Sequence, residues 1–150
     1  MSSTSGEKIR FHYLNTSFNF PHRQILKAFI LKLFRREGLI PDSIDYIFCD
    51  DEYLLQLNQL HLKHNNYTDI ITFPLSKKGE PLIAEIYISI GRVKENAENF
   101  QIPFLLELYR VVFHGALHLC GYKDKLKVDV ELMRKKEDQY LKLYLVPRGT

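Results

Sequence analysis

The chain has little of what marks several protein classes. Its 150 residues contain two cysteines, Cys49 and Cys120, too few for a disulfide framework, so both read as small core residues and a reducing cytoplasm is the default compartment. It lacks a long apolar run. Even the stretch from Leu82 to Ile90 carries Glu85, and nothing approaches the roughly 20 residues that span a bilayer, so no membrane association is expected. The opening "MSSTSGEK" has no apolar segment of the kind that makes a secretory signal, and residues 1–7 read as a frayed start. Repeats, low-complexity tracts and linkers are also missing, so residues 1–150 are expected to pack as one domain. The charge imbalance is small. A formal charge of +3 permits an acidic partner without demanding one.

Hydrophobic residues make up 45% of the chain and charged residues 26%, close to the average for globular proteins, and a chain of this length can bury about two-thirds of its unfolded surface alone. "KIRFHYLN" alternates Ile9, Phe11 and Tyr13 against Lys8, Arg10 and His12, the period of a half-buried strand. "NFPHRQILKAFILKLFRREG" places Ile25, Leu26, Phe29, Ile30, Leu33 and Phe34 on one helical stripe, with Pro21 near its start and Gly38 past its end. "SIDYIFCD" predicts a strand, and Asp50 or Asp51 suits the cap of a helix over "EYLLQLNQLH". "TDIITFP" and "PLIAEIYISI" predict two more strands, the second with Leu82, Ala84, Ile86, Ile88 and Ile90 on one face. "GRVKENAENF" spaces Val93, Ala97 and Phe100 as a short helix, Pro103 opens a longer one with Leu105, Leu108, Val112 and Leu119 on its stripe, and a last helix runs from about Asp129 to Leu145. That order implies an α+β domain, a mixed sheet covered by helices.

The stretch least like core-building sequence is "HGALHLCGYKDK", His114 to Lys125. On a helix, residues four apart stand one above the other, so His114 and His118 can direct both imidazoles at one point, as zinc-chelating pairs do. Gly115 costs a helix about 1 kcal/mol relative to alanine, so either close packing on a strand or the approach of a ligand demands it. Gly121 suits a C-terminal cap that turns the chain back, and Asp124 is the nearest carboxylate beyond it. Two histidines, one aspartate and a water make an open tetrahedral zinc site of the catalytic type. Cys120, two residues past His118, points to the far side of the helix, and His61 and His64 would need tertiary structure to join. The glutamate base of zinc proteases is absent, since Gly115 follows the first histidine. Glu107 lies two turns before His114, too far to act directly, and suits a surface or capping role. Basic residues gather at Lys32, Arg35 and Arg36, at Lys123, Lys125 and Lys127, and at Arg134, Lys135 and Lys136. Such runs are commonly solvated faces, although the lysines beside the histidine pair are placed to meet an acidic ligand.

These residues resemble the YbeY family of metal-dependent endoribonucleases. The family's signature H-G-x-L-H-L-x-G-Y-D-H reads here His114-Gly115-Ala116-Leu117-His118-Leu119-Cys120-Gly121-Tyr122-Lys123-Asp124. Upstream, "LNQLHLKHNNYTDIITFP" is similar to the family's L-N-x-x-x-R-x-x-x-x-x-T-D-V-L-S-F-P, and "AEIYIS" to its G-D-I-x-I-S strand, so the resemblance runs from about Leu57 to Glu137. It implies an α+β fold, one Zn2+ ion held by three side chains, and cytoplasmic work on ribosomal RNA and the small ribosomal subunit, in maturation and quality control.

Two departures bear on mechanism. The family's last histidine falls at Asp124 and its preceding aspartate at Lys123, so either Asp124 serves as an oxygen ligand or the third ligand is lost. We expect a His114, His118 and Asp124 site. The family's arginine falls at Leu62, which cannot contact phosphate. Lys63 or His64 is a substitute, and Lys123, Lys125 and Lys127 are candidates for holding an RNA backbone. The expected activity is cleavage of an RNA phosphodiester polarised by the metal, with water or a 2′-hydroxyl attacking. A non-catalytic ribosome-assembly factor with a structural metal, and a metal-dependent hydrolase of another substrate class, stay open beside it.

Overall fold

Four runs rich in β-branched and aromatic residues pair into one sheet, and the helical stripes between them have only the two faces of that sheet on which to bury. The computed structural model describes residues 7–62 and 68–146. In chain order the elements are β1 (Ile9–Leu14), α1 (Arg23–Arg36), β2 (Pro41–Cys49), α2 (Asp51–Leu57), β3 (Ile70–Pro74), β4 (Leu82–Ser89), α3 (Ile90–Phe100), α4 (Phe104–Leu119) and α5 (Lys127–Leu145). The sheet order is β1-β2-β4-β3, with β1, β2 and β4 parallel and β3 antiparallel to β4. This is the expected α+β domain with a mixed sheet.

The main core lies on one face of the sheet. There Ile44, Tyr46 and Phe48 of β2 and Ala84, Ile86 and Ile88 of β4, all fully buried, meet α1, α4 and α5. The Tyr46 hydroxyl donates to the Val112 carbonyl at 2.9 Å, fastening α4 to the sheet through a buried polar contact. A smaller cluster of Cys49, Leu54 and Ile71 fills the opposite face beneath α2. Burial raises both thiols to a pKa of about 12; Cys49 is a buried core residue as expected, whereas Cys120 is half-buried against the core.

Several boundaries differ from the sequence reading, each for a local reason. Asp50 is the cap of α2: its carboxylate accepts from the Tyr53 amide at 2.8 Å. The helix expected over residues 52–61 is α-helical to Leu57 and then widens into a π-helical turn, Asn58–Leu62. Ile90 is buried, as its place on the strand's apolar face requires, but it is the first residue of α3, whose cap is the Ser89 hydroxyl. Ile25 and Phe100 sit on predicted stripes yet are 40% and 59% exposed, because each lies at the edge of its helix's contact with the core.

The close approach at Gly115 decides between its two readings. A Cβ there would come within 2.8 Å of Ile70 Cδ1 and 3.0 Å of Ile86 Cγ2. These residues belong to the paired strands β3 and β4. Helix-on-strand packing therefore accounts for the glycine, and it lets α4 lie low enough on the sheet to bring its histidines beside β3.

Candidate metal centre

The turn after α4 builds the site. With Cys120 as the last half-helical residue, Gly121 takes φ +105°, which side-chain-bearing residues rarely adopt. Its amide bonds the His118 carbonyl at 3.0 Å, and the Tyr122 amide bonds the Leu117 carbonyl at 3.1 Å. This paired bonding is the Schellman arrangement. It folds the chain back over the end of α4, so that Asp124 returns to the histidines as its position in the sequence anticipates. Among the described residues, His114, His118 and Asp124 alone bring three such donor atoms within 4.8 Å of one another.

Hydrogen bonds at the far nitrogens fix what those rings present. His118 Nδ1 lies 3.0 Å from the Tyr122 carbonyl, an acceptor only, so Nδ1 carries the proton. His114 Nδ1 lies 2.6 Å from Glu137 Oε2, again an acceptor. In each neutral ring Nε2 is thereby left as a lone pair, and both Nε2 atoms face Asp124 Oδ2, at 3.2 Å from His114 and 3.0 Å from His118. Three acceptors converging this closely repel unless a cation sits among them. Tetrahedral zinc with bonds of about 2.0–2.2 Å would separate its ligand atoms by roughly 3.3 Å, which the two distances nearly match. The donor set thus fits a metal. A proton is the other cation that fits: burial alone would lower the His114 pKa, but the Glu137 hydrogen bond and the charges of Glu137, Asp124 and Asp69 raise it above its ordinary value.

Glu137 escaped the sequence reading. It occupies a core position on the stripe of α5 that holds Met133, Tyr140, Leu141 and Tyr144, and it is 4% exposed. A carboxylate in register with a buried helical stripe was the available signal. Arg110 of α4 holds it in turn, Nη1 to Oε1 at 3.1 Å, while also meeting Asp138 at 2.9 Å. The chain from Arg110 through Glu137 to His114 is the outer support that metal-ligating histidines characteristically have.

Glu107 corrects an expectation. It is 5% exposed, neither surface nor cap, and it lines a cleft of about 330 Å³ together with Asp69, Asn96, Arg134, His114 and Asp124. Burial raises its pKa, with the nearby Asp69 charge adding to the effect. Burial likewise raises Asp69, although His114 and the Asn96 hydrogen bond oppose the shift. The Asp124 side chain is 38% exposed and gives the centre a solvent side. Lys123, Lys125 and Lys127 all stand exposed around it. Lys63 and His64, the suggested replacements for the family's arginine, lie outside the described residues.

Comparisons with known proteins identify the family. The family model described as Endoribonuclease YbeY matches residues 12–144. A Flavobacterium psychrophilum protein named Endoribonuclease YbeY is 56% identical over 107 residues, covering 71% of this chain and 76% of its own. Its Flavobacterium johnsoniae namesake is 41% identical over 138 residues, 92% of this chain and 98% of its own. The solution structure of a Thermotoga maritima protein aligns with a TM-score of 0.61 at 27% identity, over 89% of this chain and 88% of that one. The match spans every element from β1 to α5 and includes the histidine helix and its turn, so the chain belongs to the endoribonuclease YbeY family.

Proposed function

We propose that this chain is a zinc-dependent endoribonuclease that acts in the cytoplasm on small-subunit ribosomal RNA, in its maturation and in ribosome quality control, with residues 1–150 working as one unit. The observation that carries the reading is the convergence of two imidazole Nε2 atoms on one carboxylate oxygen, Asp124 Oδ2, at 3.2 Å from His114 and 3.0 Å from His118. His114, His118 and Asp124 are the three ligands. When bound, the ion supplies the Lewis acidity that phosphodiester cleavage needs. The remaining work falls to side chains. Glu137 and the Tyr122 carbonyl hold both imidazoles in the ligating tautomer, and Arg110 holds Glu137. Lys123, Lys125 and Lys127 hold the RNA backbone on the solvent side, in place of the arginine that Leu62 replaces.

A structural metal in a non-catalytic assembly factor would be closed off by four protein ligands. Here three ligands and a partly exposed Asp124 open onto a cleft, which favours the catalytic reading. No single helix among the described residues is long and apolar enough to cross a membrane. The test combines metal analysis of purified protein with cleavage of a small-subunit ribosomal RNA precursor. The wild-type protein should carry about one zinc and cut. A folded His114→Ala variant should not cut, and Asp124→Ala should hold less metal. Unchanged metal content in Asp124→Ala removes it from the ligand set. Ribosome binding without cleavage by the wild type supports the assembly-factor reading instead, and cleavage of peptides or esters but not RNA supports another hydrolase.

A further inference from the structure

Beside the metal ligands lies a feature that metal binding leaves unused. The carboxyl of Glu107, in a residue 5% exposed, makes no hydrogen bond and no ion pair among the described residues, and it faces the cleft that contains His114 and Asp124. Asp69 faces the same cleft, its Oδ2 receiving one long bond of 3.4 Å from Asn96 Nδ2. Glu107 is buried with no donor and Asp69 is half-buried with one weak one, an arrangement that is costly unless a ligand brings the donors. A second metal ion is a poor candidate. The sole set of three histidine, cysteine or carboxylate ligand atoms within 4.8 Å among the described residues is the one already assigned. At the rim of the cleft stands Phe100, 59% exposed, its ring in contact with no other aromatic ring among the described residues.

An aromatic face at the rim, unsatisfied acceptors beneath it and an amide beside them are the parts of a nucleobase pocket, in which stacking holds the base and polar groups read its edge. We propose that this cleft binds one unpaired guanine of the RNA strand, in the nucleotide next to the bond that is cut. Guanine alone among the four bases presents two kinds of N–H donor side by side on its Watson–Crick edge, N1–H and the N2 amino group, and these meet Glu107 and Asp69. The neighbouring O6 acceptor meets the Asn96 amide. Phe100 stacks on the ring. The acidic floor does not repel the strand, because the base entering it is neutral. The phosphate stays outside, where the half-exposed Arg134 lines the same cleft and the lysines around Asp124 face solvent. The volume of about 330 Å³ lies at the small end of ligand pockets and suits one base better than a longer segment.

This inference rests on the ribonuclease reading, and the experiment separates the two. Cleavage is compared on single-stranded adenosine oligonucleotides carrying one guanosine, cytidine or uridine, and binding is compared for guanosine and adenosine 5′-monophosphates to the metal-loaded protein. The wild type should cut next to guanosine in preference to the other bases by roughly tenfold or more, the discrimination one two-point base contact gives. It should also bind the guanosine nucleotide more tightly by a similar factor. Glu107→Gln, which turns a donor toward the guanine edge, should reduce both ratios to within about twofold while zinc content stays unchanged. Phe100→Ala, a surface change safe for folding, should weaken both nucleotides alike. Cleavage without base preference, a preference for another base, or a guanine preference that survives Glu107→Gln overturns the proposal. Guanosine nucleotide binding without cleavage of any RNA leaves the pocket standing and overturns the ribonuclease reading.

Discussion

Replacing Glu137 by glutamine tests whether the outer support of His114 governs metal affinity. The substitution keeps the size but replaces one of two acceptor oxygens, which meet Arg110 and His114, by an amide donor, and it removes the charge from a contact of 2.6 Å to His114 Nδ1. Hydrogen bonds to charged groups contribute about 1.5–3 kcal/mol and neutral ones about 0.5–1.5, so the loss is roughly 1–2 kcal/mol. At about 1.4 kcal/mol per factor of ten, zinc affinity should fall about 5- to 30-fold, within the range typical of such supporting residues. Arg110 retains its 2.9 Å contact with Asp138, so the change strands no cation, and the metal-free protein, which loses the same charged contacts, should lose about 1–3 kcal/mol. The assay is competition against a chelator of known affinity at neutral pH, with thermal unfolding recorded with and without zinc. The stabilisation conferred by zinc should shrink along with affinity. Zinc affinity within twofold of wild type would refute the argument, as would an equal loss of stability in both states, which would make Glu137 a packing residue only.

Two further outcomes follow from the fold. Gly115→Ala gains about 1 kcal/mol of helix propensity but forces a methyl to within 2.8 Å of Ile70 and 3.0 Å of Ile86, and overpacking of that kind costs about 1–3 kcal/mol. The variant should therefore melt a few degrees lower, and one as stable as wild type would show that the strands yield freely. Glu37 is partly buried at the end of α1, where burial raises its pKa but hydrogen bonds from Tyr140, Tyr122 and Lys136 outweigh that and lower it. Its stabilisation is accordingly present above the unfolded value of about 4.3 and is lost as pH falls through the lower folded value. Denaturant titrations should find Glu37→Gln less stable than wild type near pH 6, with the gap closing toward pH 3. A gap that stays constant would mean that the charge contributes nothing.

How much was legible depended on whether a residue's role is set by its neighbours in sequence. The stripe of α1, the alternation of β1 and the order of all nine elements follow from periodicity, which local backbone geometry imposes. The histidine pair and the turn at Gly121 were readable for the same reason, since helix spacing and one left-handed residue bring Asp124 back. The antiparallel setting of β3 was not, because pairing direction is decided by which strand edge remains free. Glu137 and Glu107 were missed for a different cause. Both are charged residues on helices, which ordinarily face water, and their burial becomes visible only once α4 and α5 pack together around Arg110.

Asp124 gives the proposed centre a charge balance different from the one its family pattern implies. A carboxylate in place of an imidazole makes a site with the same ion one unit less positive, which weakens its pull on a phosphodiester and makes water there less acidic. The same turn that returns Asp124 to the histidines also carries Lys123 and Lys125 on either side of it and Lys127 at the start of α5, all exposed. In the proposed complex the positive charge withdrawn from the metal would be supplied again by these lysines, just outside it. Leu62, standing where the family pattern has an arginine, removes a second cation, and this clustering offsets that loss as well. The two departures from the pattern then make one coherent change. On the proposed reading, cationic grip moves from the segment before β3 to the turn between α4 and α5, with the candidate ligand Asp124 in the middle of that turn.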